Sequence, residues 1–100
     1  WRPADATENI EAWRTALEIK APHGFVLSRQ KLKTLKPKRD FGEVSNGAYV
    51  VKKRKDANLT IMASGSELML SLQTACHLEL LGIRANVASV PCLDLFNEQE

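Results

Sequence analysis

Cysteine is scarce in this 100-residue chain, with only Cys76 and Cys92 present. Two thiols build no disulfide framework, and neither is spaced with His23 or His77 as a metal ligand set. Free buried thiols are expected, which suits a reducing, cytoplasmic setting. Long apolar runs are also missing. None approaches the roughly 18 residues of a membrane-spanning helix, so no membrane partner is expected. The start, Trp1-Arg2-Pro3-Ala4-Asp5, has neither an initiator Met nor the features of a secretory leader, and reads as an excerpt from a longer polypeptide. Aromatics make up 6% of the chain and do not alternate with the basic residues in a regular pattern, which argues against a stacking surface for nucleic acid. The five glycines never cluster into a nucleotide-binding loop.

What remains is an ordinary globular composition, 44% hydrophobic and 26% charged, with an uneven charge distribution. The net charge of +2 divides into +8 between Arg29 and Lys55 and −6 elsewhere. Such a stripe could meet an anionic partner, but a solvated linker and a charged hairpin tip explain it better.

Asp5-Ala6-Thr7-Glu8 has capping-box spacing and starts a helix near residue 6. Ala6, Ile10, Trp13, Ala16 and Leu17 form its apolar stripe, with Glu8, Glu11, Arg14 and Glu18 on the other side. Pro22 ends it, and Gly24 opens a strand over Phe25 to Ser28. From Gln30 to Gly47 the chain is polar without sustained periodicity, the pattern of a crossing between two domains. Ala48 to Val51 and Leu59 to Ala63 read as a hairpin whose charged tip is Lys52 to Asn58. A helix follows Ser64-Gly65-Ser66-Glu67, with Ser66 and Glu67 as its cap and Leu68, Leu72, Ala75, Cys76 and Leu80 as its apolar face. Gly82 stops it. A third strand runs from Ile83 to Val90, so residues 59–90 make a βαβ unit, expected to be right-handed with parallel strands. The class is α/β: a helix and strand ending one three-layer domain, then a linker, then a hairpin plus βαβ unit beginning a second domain with a mostly parallel sheet.

Two stretches could hold an anion. The strand ending Leu27-Ser28-Arg29-Gln30 presents a hydroxyl, a guanidinium and an amide where α/β proteins bind small ligands, and the fork of Arg29 matches a phosphate. An Arg closing a strand can also be a plain surface ion-pair partner. The Gly65-Ser66 turn offers N–H groups at a helix N-terminus, yet it explains itself as a cap. His23 and His77 read as structural. A small module binding an anion or nucleic acid stays open on these residues alone.

Taken in order, Trp1-Arg2-Pro3-Ala4-Asp5 with Glu11-Ala12-Trp13, Leu27-Ser28-Arg29-Gln30, Gly47-Ala48-Tyr49-Val50 with Ala63-Ser64-Gly65-Ser66-Glu67, and Val87-Ala88-Ser89-Val90-Pro91 with Asp94-Leu95-Phe96 resemble the bacterial, fungal and plant type of transketolase. The resemblance runs through nearly the whole chain. It implies that residues 1–46 are the end of the middle, pyrimidine-binding domain with the interdomain linker, and that residues 47–100 begin the C-terminal domain. It further implies an intact homodimeric, cytoplasmic enzyme of the pentose phosphate pathway. Such an enzyme uses thiamine diphosphate and a divalent cation, Mg or Ca, to move a two-carbon ketol unit from a ketose phosphate to an aldose phosphate. Arg29 then takes the family's role of gripping the sugar phosphate. The family's catalytic, cofactor-binding and metal-binding motifs have no counterpart here, so none is assigned and the piece by itself is expected to be inactive. Dihydroxyacetone synthase, or another thiamine-dependent relative, is the neighbouring alternative. The resemblance also implies that Ile10, Trp13 and Leu17 cover a sheet lying outside these residues, which leaves an exposed apolar stripe.

Overall fold

The computed structural model describes residues 1–35 and 41–99. In order come α1 (Ala6–Glu18), a 3-10 helix (Phe41–Asn46), β1 (Tyr49–Lys52), β2 (Leu59–Ala63), α2 (Glu67–Leu80), β3 (Ala85–Ser89) and α3 (Leu93–Asn97). The expected linker therefore carries a helical turn, while its residues 36–40 lie outside the described residues.

The strands form one mixed sheet in the order β1-β3-β2. Strands β2 and β3 pair in parallel around α2, which is the expected βαβ unit. The hairpin is corrected: β1 pairs antiparallel with β3, not with β2. Burial supplies the reason. Four of the five β3 residues are buried, so this strand takes the centre, and the flanking strands with their exposed residues become edges. The basic segment 52–58 then crosses the end of β3. There the Asn86 side chain accepts from Arg54 N–H at 2.8 Å, and the Asn58 side chain accepts from Arg84 N–H at 2.9 Å.

The core lies on one sheet face, where Leu68 and Ala75 of α2 pack with Ala85, Val87 and Ala4, bordered by Ile61, Val51 and Leu72. Burying Leu68 contributes about 1.5–3 kcal/mol by its removal from water. The inner line of α2 is Leu68, Ser71 and Ala75, so Cys76 and Leu80, expected inside, face solvent. Cys76 is one residue beyond Ala75, a turn of about 100° that carries it off the core face. Gly82, at φ +77°, stops α2 as expected.

Helix α1 starts where the capping box places it, with the Asp5 carboxylate accepting from Glu8 N–H at 2.9 Å. Its buried side is Glu8, Glu11, Ala12, Thr15 and Ala16, packed against the 3-10 helix and its buried Val44. Glu8 and Glu11 were expected in solvent. Of the apolar stripe, Ala16 is buried, while the large members stand exposed, at 65% for Ile10, 47% for Trp13 and 80% for Leu17, as the resemblance implied. Trp13 stacks on Phe25, with ring centroids 4.2 Å apart. Residues 25–28 form no strand among the described residues, because a ladder needs a second strand and here Val26 N–H reaches only Trp1 O, at 2.8 Å.

Candidate functional site

Ser28, Arg29 and Gln30 lie in an exposed bend. Ser28 Oγ accepts from Gln30 N–H at 3.1 Å, a local turn that fixes the backbone on both sides of Arg29. The Arg29 side chain makes no ion pair among the described residues, so its fork remains available to an anion. Its sequence neighbours Ser28 and Gln30 line a cleft of about 240 Å³ with Asp5, Asn9 and Leu32, whereas Arg29 is not part of that lining. Asn9 belongs to this lining, and its Oδ1 is buried without a hydrogen-bond partner among the described residues, a cost borne by the fold.

The second candidate stretch comes close to the first. Arg2, Ser28, Gly65 and Ser66 border a smaller cleft of about 170 Å³. However, the turn before α2 spends its donors on the protein: Gly65 N–H donates to Arg2 O at 3.0 Å and Leu68 N–H to Gly65 O at 3.2 Å. The Arg2 stem lies over Gly65, and its guanidinium meets Glu67 at 3.7 Å. Ser66 was expected to cap α2, but it sits in helical geometry, where its hydroxyl makes no cap bond. This turn is structural.

The remaining polar residues are largely accounted for by the fold. His23 Nδ1 accepts from the Trp1 indole at 3.3 Å, and its Nε2 lies 3.1 Å from Ile19 O. Lys52 and Arg54 both pair with Glu79 of α2, which draws half of the Lys52–Lys55 run into the fold. Hydrogen bonding from Arg54, helped by Lys52, holds the Glu79 carboxyl below the usual range. Cys92 is buried ahead of α3, and both thiols are free. Among the described residues no group of three His, Cys, Asp or Glu is placed to hold a metal ion. No described helix is long and apolar enough to cross a membrane.

One cluster escaped sequence reasoning. The Glu8 carboxylate is fully buried: Oε1 accepts from Ala4 N–H at 2.9 Å, and Oε2 accepts from the Tyr49 hydroxyl at 2.5 Å and the Ser89 hydroxyl at 2.8 Å. Tyr49 and Ser89 are direct cross-strand partners of β1 and β3, so their side chains share a face and converge on one oxygen. The only sequence signal was the Asp-x-x-Glu spacing, which equally describes a solvent-facing cap.

Residues 47–100 match the family model described as the transketolase-like C-terminal domain. This chain belongs to the transketolase family. The transketolase of Halalkalibacterium halodurans is 45% identical over 98% of the chain and 15% of its own length. The crystal structure of the Campylobacter jejuni transketolase superposes with a TM-score of 0.92 at 51% identity, covering all of this chain and 16% of that one. The Pichia stipitis transketolase in complex with sedoheptulose 7-phosphate gives a TM-score of 0.91 at 36% identity, covering all of this chain and 15% of that one. The chain thus spans roughly one sixth of the transketolases it matches.

Proposed function

We propose that the intact protein is an active transketolase, moving a two-carbon ketol unit from a ketose phosphate to an aldose phosphate within the pentose phosphate pathway. In this reading thiamine diphosphate and a divalent cation are held outside the described residues, the enzyme is a cytoplasmic homodimer, and the chain alone has no turnover. Residues 1–46 end the middle domain and residues 47–100 begin the C-terminal domain. Arg29 grips the phosphate of the sugar. The observation that carries this role is the exposed Arg29 side chain, free of ion pairs among the described residues, in a bend whose flanking Ser28 and Gln30 line a cleft that Arg29 itself does not line. A relative matching the whole chain was solved with a sugar phosphate, which supports the same substrate class.

Steady-state kinetics of intact Arg29→Ala test the role. A charge-assisted contact contributes about 1.5–3 kcal/mol, so the KM for a phosphorylated ketose should rise roughly ten- to a hundredfold while that for an unphosphorylated one holds. An unchanged preference between the two refutes it.

A further inference from the structure

We infer that Glu8 is a positioning residue, which fastens the arm carrying Ser28, Arg29 and Gln30 to the sheet. The inference rests on the phosphate-binding reading of Arg29. Glu8 is enclosed entirely, and its three identified donors come from three separate places: Ala4 before α1, Tyr49 on β1 and Ser89 on β3.

The connection continues from Glu8 to the bend. Glu8 N–H is held by Asp5 Oδ1, while Asp5 Oδ2 accepts from Leu35 N–H at 3.0 Å, beyond the far side of the bend. On the near side, Trp1 O accepts from Val26 N–H at 2.8 Å, and the Trp1 amino group donates to Gly24 O at 2.7 Å. Arg2 is itself anchored to the sheet side, through Pro91 O at 2.7 Å and Gly65 N–H at 3.0 Å. Segments 24–26 and 35 thus hang from residues 1–5, and Glu8 ties those residues to β1 and β3. Surface ion pairs could not give the same definition, since exposed partners move with little loss. A buried carboxylate with charge-assisted donors does, because moving it strands a desolvated charge.

Intact Glu8→Ala, Glu8→Gln and Tyr49→Phe, each alone and combined with Arg29→Ala, provide the test. Kinetics are read on phosphorylated and unphosphorylated ketoses. Glu8→Ala should raise the KM for the phosphorylated ketose about tenfold, the factor for one charge-assisted contact, with kcat retained. Tyr49→Phe should move it the same way by less, and Glu8→Gln should recover most of it. On the Arg29→Ala background these changes should vanish, because the group being positioned is gone. Equal losses on both substrates, or an undiminished effect without Arg29, would overturn the inference. If Glu8→Ala fails to fold, Tyr49→Phe carries the same readout, since Phe keeps the ring. If Arg29→Ala itself leaves the preference intact, the phosphate reading falls and takes this one with it. If Arg29→Ala erases the preference but the Glu8 and Tyr49 variants leave KM unmoved, only the positioning role falls.

Discussion

Adding one methyl group at Gly47 should cost far more than adding it at Gly82, although the two glycines share nearly the same backbone. Their φ angles are +80° and +77°. An L side chain in this left-handed region costs roughly 1–2 kcal/mol at either site. The surroundings then separate them. A Cβ at Gly82 meets nothing within 4 Å, whereas at Gly47 it would lie 2.4 Å from Phe96 N and 2.5 Å from Cys92 O. Both of these are backbone atoms, and Cys92 N–H is tied back to Gly47 O at 3.1 Å, so neither can swing aside like a flexible side chain. Overpacking of that kind adds about 1–3 kcal/mol, which brings Gly47→Ala to about 2–5 kcal/mol against about 1–2 for Gly82→Ala. Gly24→Ala, with no positive φ and open space around it, serves as the neutral control. Urea unfolding of the intact protein compares the three midpoints. Equal losses at positions 47 and 82 would refute the packing of the β1 entrance against the start of α3.

Two further outcomes follow from the polar contacts. Tyr49→Phe keeps the buried ring but removes one donor from Glu8 Oε2, and should lower stability by about 1.5–3 kcal/mol in chemical denaturation; a loss under about 0.5 would show the bond to be unimportant. Glu79 is held below the ordinary carboxylate range chiefly by hydrogen bonding to Arg54, so its contribution is present at neutral pH and fades as pH falls through the ordinary range to the lower folded-state value. Thermal unfolding of Glu79→Gln should therefore show a flatter decline on the acid side than the parent, an effect weakened by added salt; parallel acid limbs would contradict it.

The parts legible in the residues were those whose cause is local. Asp5 at the α1 cap, Gly82 at the α2 stop and the β2-α2-β3 unit each depend on a few neighbours in sequence, and each stands where the pattern puts it. The misread parts depend on partners far along the chain. Periodicity alone did place Ile10, Trp13 and Leu17 together, but which side of α1 is buried among these residues depends on what lies opposite. Here the neighbours are the 3-10 helix at 41–46 and the Tyr49–Ser89 pair, so the Glu8 side is enclosed. Likewise nothing within 48–63 says that a strand 22 residues after Ala63 will enter between β1 and β2, since strand order follows burial and Ala85 to Ser89 is the most enclosed of the three. The same reasoning explains the candidate site. Arg29 could be singled out because a guanidinium beside a hydroxyl and an amide is chemistry carried by adjacent residues. Glu8 could not, because its partners are 4, 41 and 81 residues away and only the fold brings them together.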